Sequence, residues 1–115
     1  MLLFDPSTHE CFPNSDAFIE HICTSGQELD KRLAMVEAWR KASVSMLLDD
    51  LMGSVRRGER GAGSLRKRCS ETTGRILDVR LVFDALSRRL LEEHGVDPEA
   101  WFRCRRAREE TSTLQ

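Results

Sequence analysis

The chain has 115 residues, 40% of them hydrophobic and 32% charged, with three prolines and no low-complexity tract. That is one hydrophobic core's worth of sequence, too short for two domains and too apolar for general disorder. The net charge of −1 hides an asymmetry: residues 1–50 hold 9 acidic and 4 basic groups, and residues 51–115 hold 10 and 14, so −5 is followed by +4. Such a division steers an acidic partner, or neutralises itself within one fold or across a dimer.

The opening MLLF runs into Asp5 and Pro6, and the apolar runs elsewhere are only a few residues long, so neither a signal peptide nor a membrane span is expected. Residues 1–13, with Pro6 and Pro13 and no helical period, read as an extended arm that packs Leu2, Leu3 and Phe4. A short helix follows, capped by Asn14 or Ser15, with Ala17, Phe18 and Ile22 on its apolar side and an end near residues 24–26. Ser25 and Glu28 then make a capping-box pattern for a second helix from Gln27 to Arg57.

On that helix Leu29, Leu33, Val36, Val44, Leu47, Leu51 and Val55 share one stripe, read as the core face. Met35, Trp39, Ala42 and Met46 form a second apolar face, and a helix with two such faces has two neighbours. The third helix, Ser64 to His94, has the most regular pattern: Leu65, Cys69, Thr72, Ile76, Val79, Phe83, Leu86 and Leu90 alternate steps of four and three, a coiled-coil-like seam flanked by arginines. Gly95 caps its end, and Asp97, Pro98 and Glu99 open a last helix ending near residue 110, with 111–115 as a tail. The fold class is all-α: one helical domain over 14–110, built on a long antiparallel hairpin with short terminal helices. One hairpin cannot cover both apolar faces, so a homodimer is expected.

The residues between the long helices raise the question of chemistry. Gly58 and Gly63 have the spacing of a phosphate-cradling loop, but Ser64 stands where its lysine belongs and Leu65 where its hydroxyl belongs. The glycines therefore serve a helix-ending turn, beside a basic patch of Arg56, Arg57, Arg60, Arg66, Lys67 and Arg68. His9 with Cys11, and His21 with Cys23, make two His-x-Cys pairs with donors that zinc accepts. In a helix, however, His21 and Cys23 point to opposite sides, so no metal or other cofactor is expected. Without a C-x-x-C pair among Cys11, Cys23, Cys69 and Cys104, the thiols are expected reduced, in a cytoplasmic setting. No cysteine has a histidine and an acid set beside it by any sequence rule, and the chain is not expected to be an enzyme.

Two long helices with short terminal ones and no catalytic constellation, over residues 25–94, resemble the small bacterial antiactivator proteins of quorum sensing. That resemblance implies a non-enzymatic regulator that binds and inhibits a transcription factor through an apolar helix face. The anchors expected from the residues are Met35, Trp39 and Met46, with Trp101 and Phe102 as a second patch. The alternative is a small DNA-binding regulatory protein acting through its basic turn.

Overall fold

A computed structural model describes residues 1–25, 28–58 and 62–114. Among them are a two-stranded hairpin, β1 (Leu3–Phe4) and β2 (Cys11–Phe12), and four helices, α1 (Ser15–Ser25), α2 (Leu29–Arg56), α3 (Ala62–Glu93) and α4 (Pro98–Leu114). The all-α class is as read from the sequence. The long antiparallel pair of α2 and α3, 28 and 32 residues, carries the rest of the fold. At about 1.5 Å per residue these helices are roughly 42 and 48 Å long, in a molecule measuring 51 × 39 × 19 Å.

The arm is more ordered than an extended segment. Leu3 pairs with Phe12 and Phe4 with Cys11, antiparallel. The wide turn is held from inside, since Asp5 Oδ1 accepts the Ser7 amide at 2.8 Å and His9, at φ 62°, donates its amide to the Asp5 carbonyl at 2.8 Å. Leu3 and Phe4 are buried. Strands of two residues are too short for an alternation of apolar and polar positions to show, which is why sequence reading saw only an arm.

Asn14 caps α1, accepting the Ala17 amide on Oδ1 at 2.9 Å. Ser25 belongs to the last turn of α1, and Glu28 is the N-cap of α2 with no side-chain bond to the helix. The expected Ser25–Glu28 capping box is therefore not formed, because Ser25 is itself helical in α1. Gln27 lies outside the described residues.

At the other end of α2, Gly58 adopts φ 68° and donates its amide to the Val55 carbonyl at 3.1 Å. It follows a helix, not the buried strand a phosphate loop needs, and so acts as the helix-ending residue. Gly95, at φ 69°, ends α3 with a paired motif in which the Gly95 amide bonds to Glu92 and the Val96 amide to Leu91. Asp97 Oδ1 accepts the Glu99 amide at 3.1 Å and starts α4. That helix continues to Leu114, through residues read as a tail, because the closing TSTL has no glycine or proline to stop it.

The core lies at the end of the hairpin formed by the first half of α2 and the second half of α3, where α1, the arm and α4 converge. Phe18, Ile22, Val36, Trp39, Leu90 and Leu91 are its most enclosed side chains. Trp39 stands edge-on to Phe18 at 6.2 Å, Phe18 stacks on Phe12 at 5.3 Å, and the Trp39 indole donates Nε1–H to the Leu2 carbonyl at 3.1 Å. Arg32 ties three helices together, donating Nη2–H to the Cys23 carbonyl at 3.0 Å while its Nη1 meets His94 Nε2 at 3.1 Å.

The α3 seam is core only in part. Val79, Phe83, Leu86 and Leu90 are buried, whereas Leu65 and Cys69 are exposed. Placing Cys69 in the core is thus corrected: among the described residues only α2 packs along that end of α3, where the buried side chain of α2 is the small Ser54.

Candidate functional site

The unequal covering of the hairpin creates the most distinctive surface of the molecule. Helix α4 lies on one face of α2 and α3 through Trp101 and Phe102, which are half-buried against the core and set edge-to-face at 5.0 Å. Beside it runs a groove of about 560 Å³ whose apolar floor includes Val44, Ile76, Phe83 and Phe102. Five arginines rim it, Arg40, Arg80, Arg88, Arg105 and Arg106, against three carboxylates, Asp84, Glu99 and Glu109.

The arginines are partly stacked and partly paired. Arg40 and Arg105 stand over the Phe83 ring at 5.3 and 5.8 Å, and Arg88 over Phe102 at 5.1 Å, geometries in which a guanidinium meets the negative face of a ring. Arg88 pairs with Glu99 at 2.5 Å, and Arg105 reaches Glu109 at 3.4 Å and Glu37 at 3.5 Å; Arg40 also pairs with Glu37. Burial pushes the Glu37 carboxyl upward, but hydrogen bonds and charge from Arg40 and Arg105 outweigh it and hold the group below its ordinary value. Arg80 and Arg106 are exposed; Arg80 makes no ion pair among the described residues, while the charge of Arg106, after the hydrogen bond and charge of Arg88, helps to hold the Glu99 carboxyl below its ordinary value.

Beyond α4 the same face continues uncovered. From Val44 the apolar residues of α2 step four, three and four to Leu48, Leu51 and Val55; from Leu65 those of α3 step likewise to Cys69, Thr72 and Ile76. Val44 and Ile76 fix both rows to the groove floor. Leu48 is 44% exposed, Val55 45% and Leu65 37%. Two heptad rows with no third helix above them among the described residues are an unfinished bundle face.

A second, smaller groove of about 330 Å³ lies where the arm meets the middle of the hairpin, lined by Met1, Leu2, Met46 and Leu47, with Asp50 and Asp78 opposing Arg75. Its charge balance is the reverse of the first.

The sequence-predicted anchors divide among these places. Trp39 is 0% exposed, so as a surface anchor it is corrected to a core residue. The arm, folded back as a hairpin, seals it with α1, a contact no local pattern announces. Met35 is half-buried beside Pro6, Phe18 and Ala38 in a small cavity. Met46 is 51% exposed in the second groove, and Trp101 and Phe102 hold α4 to the hairpin. Arg56, Arg57, Arg66, Lys67 and Arg68 are exposed at the hairpin's tip, and Arg60 lies outside the described residues. Nothing local in the sequence marks Arg40, Arg80 and Phe83 as a site; they are up to 43 positions apart, and only the packing of α2 against α3 brings them to one groove.

The two His-x-Cys pairs point elsewhere. His21 Nε2 lies 2.7 Å from the buried Asp5 Oδ2, His21 Nδ1 lies 3.8 Å from Glu10, and the ring packs on Phe12 at 4.7 Å. Cys23 faces Glu93, with Sγ 3.8 Å from Oε2. The hydrogen bond from His21 is the main reason the Asp5 carboxyl sits below its ordinary range, against burial, which raises it. Among the described residues no three His, Cys, Asp or Glu side chains are grouped to hold a metal ion, and no helix is long and apolar enough to cross a membrane. Compared with known proteins, the chain matches no family model, no curated protein and no solved structure.

Proposed function

We propose that the protein is a non-enzymatic regulator that binds and restrains another protein, a transcription factor, through the uncovered apolar face of its helical hairpin. The observation that carries this reading is the pair of heptad rows, Val44–Leu48–Leu51–Val55 and Leu65–Cys69–Thr72–Ile76, left open where α4 stops covering the hairpin. Apolar rows at this spacing lose water only when another helix lies on them, and a helix in such a groove is a common mode of protein recognition. Leu48 and Val55 take the role of exposed anchors, in place of Trp39.

The test is capture of partners by the purified protein from its native cell, read by mass spectrometry, beside the Leu48→Glu/Val55→Glu variant. A transcription factor retained by the parent protein and lost by the variant is the expected result. The same captured set from both proteins refutes the reading. A second reading, DNA binding through the tip, draws on the exposed Arg56, Arg57, Arg66, Lys67 and Arg68. It requires duplex binding that weakens steeply with salt and disappears when these residues are neutralised.

A further inference from the structure

We infer that the arginine-rimmed groove and the open seam that continues it form one docking site for an acidic amphipathic helix of the partner. This rests on the partner-binding reading above and names the chemistry of the segment that is bound.

Shape supplies the first reason. Helix α4 already lies on this face of α2 and α3, so the surface accommodates a helix there, and the two rows beyond it leave a furrow of the same kind. An occupant presenting apolar residues at i, i+4, i+7 and i+11 would cover Leu48, Val55 and Leu65.

Charge supplies the second. Five arginines against three carboxylates rim the groove, with Glu37 behind Arg40 and Arg105, so positive charge remains in excess; Arg80 makes no ion pair among the described residues, and Arg106 adds its charge beside Glu99. On the arm side the smaller groove has two aspartates to one arginine. The seam's side of the hairpin is therefore the one that attracts carboxylates. A second copy is a poorer occupant, because a two-fold contact of this face with itself sets arginines against arginines. Duplex DNA would meet the arginines but leave the leucines and valine of the seam wet.

The site predicts a specific preference. The probe is a fluorescein-labelled helical peptide of about 18 residues, five turns, with leucines at i, i+4, i+7 and i+11 and glutamates at the flanking positions. Its companion has glutamine at each glutamate. Fluorescence anisotropy at near-physiological salt should show the glutamate peptide binding about tenfold more tightly than the glutamine peptide. Arg80→Glu/Arg106→Glu should remove that difference, and Leu48→Glu/Val55→Glu should weaken both peptides. All four positions are exposed, and circular dichroism confirms that the variants keep their helices.

Equal binding of the two peptides, or binding of neither, overturns the inference. So does a concentration-dependent dimer in light scattering that Leu48→Glu/Val55→Glu dissolves, since a second copy then covers the seam. Partner capture separates this inference from the reading beneath it. If capture depends on Leu48 and Val55 but is unchanged in Arg80→Glu/Arg106→Glu, the protein partner stands and the acidic helix falls; if capture is indifferent to Leu48 and Val55 as well, both fall.

Discussion

Replacing Trp39 by alanine is the sharpest test of the packing described above. The indole is fully enclosed by α1, the arm and the hairpin helices, edge-on to Phe18. An enclosed tryptophan buries roughly 200 Å², about 5 kcal/mol at 25 cal/mol per Å², and measured Trp→Ala changes in cores cost about 3–5 kcal/mol. The lost hydrogen bond adds little, because Leu2 is exposed and its carbonyl turns to water. About 4 kcal/mol is therefore expected, a large share of the roughly 5–15 kcal/mol that holds a domain together. With a slope near 1.5 kcal/mol per molar urea, the midpoint followed by circular dichroism should fall by about 2.7 M. Trp39→Phe, which keeps a ring in the site, should fall by less than half as much and guards against a variant too unstable to measure. A shift under about 0.7 M for Trp39→Ala, equivalent to about 1 kcal/mol, refutes the enclosed position of this side chain.

The Asp5–His21 contact should show itself in acid. Because the folded-state value of Asp5 is lowered, its contribution is fully present above the unfolded carboxylate value and is lost as pH falls through the folded one. Urea midpoints measured from neutral pH down to about pH 3 should therefore decline less steeply for Asp5→Asn, whose cost of about 1–3 kcal/mol is already present at neutral pH. Parallel decline of the two proteins contradicts a hydrogen-bonded carboxylate at this place. Ser87 is 1% exposed and its hydroxyl has no hydrogen-bond partner among the described residues, so Ser87→Ala should be neutral or stabilising by up to about 1 kcal/mol, with a midpoint that rises or stays. A clear loss of stability means that the hydroxyl is bonded after all.

How much was legible in the sequence follows from the range of each signal. Asn14, Gly58, Gly95 and Asp97 act within one turn of the positions that reveal them, so the helix ends they mark are readable to a residue or two, whereas the end of α4, which no such residue marks, is not. The seam of α3 was visible as a period, and its buried half is the half that meets other elements. Periodicity reports that a face is apolar, not what lies on it. That is why Cys69 and Val55 were expected inside, Trp39 outside, and the groove of Arg40, Arg80 and Phe83 was passed over.

By itself, then, the order of residues determined the helices, their ends and their apolar stripes, because helix periodicity and capping are interactions among neighbours in the chain. The tertiary structure alone decided which stripes are filled. Folding the arm back as a hairpin encloses Trp39, and α4, lying across one end of the hairpin and reaching no further, leaves Leu48 and Val55 in water. The same placement gathers arginines from α2, α3 and α4 around one groove. Burial and electrostatic potential depend on groups distant in sequence, so they arise only when the chain has closed on itself.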